Sequence, residues 1–195
     1  PKADRPEVAI AGRSNAGKSS LLNAMTGAKI AKVSQTPGKT RLLNFFDVGK
    51  AYRIVDMPGY GYASRSGDEM RDWSKMIEMY LGTRGNLFGV VLVMDIRREW
   101  EDHEEILKRF CLKINIPMIV VLTKADKCNK SELKQYTERL MDQSAVEKIF
   151  VTSSFKKEGV ADLEKFIFEE WGKPGLRTIQ DQKKISAKQE NQSKQ

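Results

Sequence analysis

The chain is poor in the residues that build metal and disulfide centres. Its 195 residues hold two cysteines, Cys111 and Cys128, and one histidine, His103. The cysteines show neither a metal-ligand spacing nor a disulfide framework, which makes a zinc site a poor fit and suits a reducing cytoplasm. No apolar run approaches the length that crosses a bilayer, so no membrane association is expected. Pro1 to Pro6 lack a charged-then-apolar leader pattern. The chain starts at Pro1 rather than Met, and a trimmed or processed start is expected there. Aromatic residues make up only 8%, and the three tryptophans are not interleaved with basic residues, so they read as packing residues. No internal repeat is present.

What is there fits one globular domain with short extensions: 40% apolar and 31% charged residues over a length that supports a real core. The balance is basic, at a formal +8. Residues 173–195 hold Lys173, Arg177, Lys183, Lys184, Lys188 and Lys194 against Asp181 and Glu190. That segment has no aromatic residue and too little apolar surface to fold alone, so a flexible tail is expected after a domain end at Pro174-Gly175. It reads equally as a solubilising tail or as a contact for an RNA phosphate backbone. Lys29, Lys32, Lys39, Arg41, Arg65 and Arg71 form a further basic set, which by default is a solvated face.

The apolar pattern alternates between two periods. Strands are expected near 7–11, 42–48, 51–55, 87–94, 117–122 and 148–151, and helices near 18–26, 68–82, 101–114, 131–143 and 160–171. This alternation argues for a mainly parallel sheet with helices on both faces. Gly49-Lys50 between two strands is a hairpin signal, so one edge strand should be antiparallel. Cys111 falls in an amphipathic helix and is expected in the core. Residues 27–41 and 59–67 collect turn formers and read as switch segments.

Four sites along this frame carry chemistry. Gly12-Arg13-Ser14-Asn15-Ala16-Gly17-Lys18-Ser19 has the spacing of a phosphate-binding loop between a strand and a helix. Its glycines admit tight turns, its N–H groups can face anionic oxygens, Lys18 can reach terminal phosphates, and the Ser19 hydroxyl can ligate Mg²⁺. Asp56-Met57-Pro58-Gly59 follows a buried strand: Asp56 can hold the Mg²⁺ shell through water, and the Gly59 N–H can sense a third phosphate. Thr123-Lys124-Ala125-Asp126 follows another: the Asp126 carboxylate can accept two hydrogen bonds from guanine that adenine cannot supply, and the Lys124 stem can lie over the base. Thr152-Ser153-Ser154 can offer N–H groups to the guanine O6. Taken singly, each of the last three also reads as a turn or a helix cap.

In this order the four resemble the guanine-nucleotide site of the translation-factor-related GTPases. A closer resemblance is to the EngB family of bacterial GTPases, also called YihA or YsxC. It is carried by Gly12 to Ser20, Thr36-Pro37-Gly38-Lys39-Thr40-Arg41, Asp56 to Ala63, Met94-Asp95-Ile96-Arg97 and Thr123 to Asp126, and it covers Arg5 to Trp171. The resemblance implies a three-layer α/β P-loop NTPase domain of small-GTPase type over residues 7–172, after an extension at 1–6 and before the tail at 173–195. It implies a cytoplasmic, monomeric switch that binds Mg²⁺, hydrolyses GTP to GDP, assists assembly of the large (50S) ribosomal subunit, contacting its rRNA or proteins, and is needed for normal division and septation. Nucleotide contacts would then come from Gly12 through Ser20, from Gly38, Lys39 and Thr40, from Asp56 through Gly59, from Thr123, Lys124 and Asp126, and from Thr152 through Ser154. Ser19, Thr40 and Asp56 would hold the metal, and Lys18, Thr40 and Gly59 would serve the hydrolysis.

Two departures matter. Tyr60 stands where many GTPases carry the glutamine that orients water, which implies slow intrinsic turnover or another water-positioning group. Thr123 stands where Asn is usual; its hydroxyl can still bridge to the phosphate loop. Asn15 at its place in the loop is also where related GTPases that lack the glutamine hold K⁺ against the phosphates; merely stabilising the loop turn is the plainer role. Asp95 is assigned no chemistry. Two other functions stay open: a kinase or ATPase on the same loop, which Asp126 argues against, and a nucleotide-gated binding module in septum assembly with negligible hydrolysis.

Overall fold

The computed structural model describes residues 1–27, 43–61 and 67–192. Six strands form one sheet in the order β2-β3-β1-β4-β5-β6. They are β1 (Glu7–Gly12), β2 (Asn44–Val48), β3 (Tyr52–Asp56), β4 (Leu87–Asp95), β5 (Met118–Thr123) and β6 (Ile149–Val151). All pairings are parallel except β2 with β3, which run antiparallel with Asn44 opposite Asp56 and Val48 opposite Tyr52. The expected antiparallel edge is therefore real, joined by the turn at Gly49-Lys50. The central strands are buried on both faces, which is why they read as continuous apolar runs rather than as alternation.

Alternation reappears in where their side chains go. Ala9, Ala11, Val55, Leu92, Val120 and Leu122 face one core. There they meet Ile77 and Leu81 of α2 (Gly67–Thr83), Leu107 and Cys111 of α3 (Asp102–Lys113), and Leu140 of α4 (Lys130–Ser144). Val8, Ile10, Ile54, Val91, Val93 and Val121 face the other. It is closed by Leu21 and Leu22 of α1 (Lys18–Thr26) and by Val160 and Leu163 of α5 (Val160–Phe166). Cys111 sits in the first core as expected, and burial pushes its thiol up to about 12. The three-layer architecture places the C-terminal ends of the parallel strands on one edge of the sheet, where such sheets hold their ligands.

The segment expected as a tail has regular secondary structure. Residues 173–192 form a helix, α6 (Lys173–Gln192), which continues from α5 through a wide π-turn at Ile167–Gly172. Composition gave no weight to Ile179, which is buried, or to Gly175, where a Cβ would come within 2.7 Å of Pro6. Pro174-Gly175 thus opens a docked helical turn instead of ending the fold. From Gln180 to Ser186 every residue is exposed, so the compositional argument describes the far half of the helix.

Candidate functional site

β1 delivers the phosphate loop at its C-terminal end. Gly12 lies so close to the Val93 carbonyl that a Cβ would overlap it. Gly17, at φ 98°, takes the left-handed conformation that starts α1. Asn15 also takes a positive φ, of 65°. Thr123 ties the loop down from β5: its hydroxyl lies 2.5 Å from the Ala16 carbonyl oxygen and 3.1 Å from that of Met94. The threonine thus does make the bridge expected of it.

Asp56 closes β3 beside this loop. The next residue's N–H, from Met57, donates to the Ile10 carbonyl at 3.0 Å, so β3 hands the chain across β1. Gly59 then passes so near the loop that a Cβ would sit 3.0 Å from the Ser14 nitrogen and 3.1 Å from the Lys18 ammonium. Any side chain at 59 would intrude where Lys18 stands. Lys18 donates to the Gly12 carbonyl at 3.2 Å. Burial pushes the Asp56 carboxyl above its ordinary 3.8, against the pull of Lys18 and Asn44. Its Oδ1 is buried with no hydrogen-bond partner among the described residues. Ser19 and Ser20 lie in the first turn of α1, half-buried. Gly38, Lys39 and Thr40, together with Lys29, Lys32, Thr36, Arg41 and Arg65, lie outside the described residues.

The second half of the site stands beyond the loop. Lys124, in the left-handed conformation, donates to the Asn15 carbonyl at 2.8 Å and pairs with Asp95 at 3.0 Å. Ser153 donates its hydroxyl to Asp126 Oδ1 at 2.8 Å. That bond, ahead of a lesser pull from Lys127, holds the Asp126 carboxyl below its ordinary value. The backbone links the two segments as well, through the Ala125 N–H and the Thr152 carbonyl at 3.2 Å. One expectation is corrected. The N–H groups of Thr152 and Ser153 already donate to Leu122 and Glu158 carbonyls at 2.7 and 3.0 Å. Of the three residues, Ser154 alone keeps a main-chain N–H not committed to another backbone carbonyl among the described residues.

Asp95 and Tyr60 take roles that their sequence positions do not announce. Asp95 binds Arg97 through both carboxylate oxygens, at 2.9 and 2.6 Å, in addition to Lys124. Burial alone would raise its carboxyl; Arg97 and Lys124 outweigh burial and push it far down. Asp95 therefore holds Lys124 in place, a role that sequence reasoning missed because no local spacing shows it. Tyr60 is buried, and its hydroxyl donates to Glu104 Oε1 at 2.8 Å. Its side chain points into the helical layer, so it does not act as the missing glutamine in this arrangement.

Residues 7–124 match the model of a family described as 50S ribosome-binding GTPase. A protein of Bdellovibrio bacteriovorus named probable GTP-binding protein EngB is 56% identical over 171 residues, spanning 88% of this chain and 86% of its own length. Its namesake from Caldanaerobacter subterraneus subsp. tengcongensis is 45% identical over 87% of this chain and 89% of its own. Among solved structures, a probable GTP-binding protein EngB superposes with a TM-score of 0.67 at 25% identity, covering 88% of this chain and 99% of that one. A variant of Aquifex aeolicus Era bound to GDP and AlF4⁻ gives 0.68 at 26% identity, over 85% of this chain and 56% of its own.

Proposed function

The chain belongs to the EngB family of GTP-binding proteins and is a GTPase; from that premise we propose that it is a Mg²⁺-dependent switch that assists assembly of the large ribosomal subunit, and through it normal division and septation. The observation that carries the switch chemistry is the buried Asp56 Oδ1, which has no hydrogen-bond partner among the described residues although Lys18 stands near it. A buried carboxylate oxygen without a partner is costly, and a cation shell is what would satisfy it. Ser19, Asp56 and Thr40 would hold Mg²⁺, which supplies charge neutralisation to the phosphates when bound. No three His, Cys, Asp or Glu side chains converge among the described residues. A metal that shares its ligands with phosphate and water does not require such a cluster.

The chain's own residues do the rest. The loop from Gly12 to Ser20 surrounds phosphate with N–H groups at the start of α1, and Lys18 adds a positive charge on a long stem. Gly59 brings its N–H to the third phosphate, while Met57 and Pro58 carry the chain into that position. Asp126 accepts two hydrogen bonds from guanine, with Ser153 holding the carboxylate and Lys124 covering the base. Ser154 is the N–H donor left for the guanine O6. Catalysis is then positioning and electrostatics, with no side chain acting as a strong base.

Support for the ribosomal partner is the description of the matched family and the +8 balance. Binding to large-subunit particles is expected to be stronger with a GTP analogue than with GDP and to weaken steeply with salt. Cosedimentation across a salt series checks this; binding indifferent to both nucleotide and salt would remove the proposal. Truncation before Gln180 is expected to weaken the particle complex and leave nucleotide affinity unchanged.

A further inference from the structure

Tyr60 is held twice. On its main chain, its carbonyl accepts the Ser14 N–H at 2.9 Å, and it pairs with Arg13 as an isolated parallel bridge. On its side chain, the hydroxyl donates to Glu104 and the ring stacks on His103 with centroids 5.4 Å apart. Burial first, then the neighbouring Glu104 carboxylate, push the phenol well above its ordinary value, so it stays a donor. Glu104 is itself fully buried, and its second oxygen accepts the Glu101 N–H at 3.1 Å. Glu101 in turn pairs with Arg13 at 2.6 Å. The contacts form a closed circuit: phosphate loop, start of α3, Tyr60, and back to the loop. A cavity of about 230 Å³, lined by Arg13, Gly61 and Glu104 together with Ser14, Asn15 and Lys124, opens beside it.

We propose that Tyr60 is a positioning residue: its hydroxyl bond to Glu104 holds Gly59 in the place where a third phosphate is sensed, and passes a change at Gly59 to the start of α3. The inference rests on the reading of Gly59 given above. Gly59 is one peptide from Tyr60 and lies against Ser14 and Lys18. It cannot move away without moving Tyr60, and Tyr60 cannot move without breaking the hydroxyl bond or drawing Glu104 with it. A buried donor and acceptor are not parted without loss, since neither meets water. The tyrosine thus answers its own departure from the usual pattern. It supplies no water-orienting amide; it stiffens the segment that carries the phosphate-sensing N–H.

Tyr60→Phe keeps the ring and removes the hydroxyl that bonds Glu104. The ratio of GTP-analogue to GDP affinity is expected to fall by ~5-fold or more, within the usual range of site coupling, with GDP affinity itself unchanged. Glu104→Ala should do the same. Glu104→Gln, which keeps an acceptor for the hydroxyl, should retain the ratio even if it melts lower. Gly59→Ala, measured alongside, should lower the ratio in its own right. If Gly59→Ala leaves the ratio intact, the Gly59 reading fails and the latch with it. If Gly59→Ala lowers it and Tyr60→Phe does not, the latch alone is overturned. Equal loss of both affinities in Tyr60→Phe would mark a purely structural tyrosine and also overturn the proposal.

Discussion

Glu7 and Asp56 are buried carboxylates on neighbouring parallel strands, one at the start of β1 and one at the end of β3. Their surroundings are opposite. Glu7 accepts Arg84 through both oxygens at 2.7 and 2.8 Å and the Tyr80 hydroxyl at 3.0 Å, with Arg53 at 3.4 Å. Burial alone would raise its carboxyl; the Arg84, Tyr80 and Asn86 contacts outweigh burial and hold it below 4.5. Asp56 is raised by the same burial and keeps an oxygen without a partner. One end of the sheet is internally closed, tying the N-terminal residues, β3 and the end of α2 together. The other keeps a buried carboxylate oxygen without a partner among the described residues. Under the proposed function, the contrast separates a carboxylate held by the fold from one kept for the metal of the nucleotide site.

The sharpest way to break that contrast is at the open end. Asp126→Asn is expected to lower GTP affinity by ~10⁴-fold and favour xanthosine triphosphate instead, because a site built to accept two hydrogen bonds rejects a base that cannot match it. Stability should hardly change. Titration with labelled GTP and XTP reads this, and an unaltered GTP preference in a folded variant refutes the base assignment.

Next in size is the closed end. Arg84→Ala removes the two shortest bonds to the buried Glu7 charge, leaving Tyr80 and the longer Arg53 contact, and is expected to cost about 3 kcal/mol, with nucleotide affinity preserved. Thermal melting measures it. The pH dependence has a definite sign. The native Glu7 carboxyl binds its proton less tightly than the unfolded one, so its contribution is complete above 4.5 and is lost as pH falls through the lower folded value. Glu7→Gln should flatten that acid limb of the melting curve.

Asp56→Asn should act in the opposite direction. The native Asp56 carboxyl binds its proton more tightly than the unfolded one, so stability falls as pH rises from 3.8 through the raised folded value, and the penalty persists at neutral pH. Removing the charge should stabilise the nucleotide-free protein by on the order of 1 kcal/mol while abolishing the Mg²⁺ dependence of GTP binding. Melting with and without Mg²⁺ decides; a destabilised variant would place Asp56 with Glu7 as a structural residue.

The smallest expected effect concerns Asn15. If its side chain helps hold K⁺ against the phosphates, hydrolysis should run several-fold faster in K⁺ than in Na⁺ at equal ionic strength, as expected for added positive charge at the transferred group. Asn15→Ala should erase the difference. Equal rates in both salts, with large-subunit particles present, would leave Asn15 as a loop residue.

The frame of this molecule is legible in its sequence because periodicity reports burial. Runs such as Val90 to Met94 and Ile119 to Leu122 announce strands covered on both faces, and the Gly49-Lys50 turn announces the antiparallel edge. The loop from Gly12 to Ser19, Asp56 with Gly59, and Thr123 to Asp126 are legible as the proposed site because binding phosphate and a base demands such spacing. What the sequence hides are partners brought together by the sheet. Nothing local shows that Asp95 holds Lys124, that Tyr60 reaches Glu104, that the Thr152 and Ser153 N–H groups are already engaged, or that Arg84 neutralises Glu7 from 77 residues away. The docked start of α6 belongs with these, since Gly175 lies against Pro6 and Phe88, far up the chain. Local spacing specifies which groups can meet a ligand; only tertiary packing decides which buried charge is already satisfied and which is left for the ligand to satisfy.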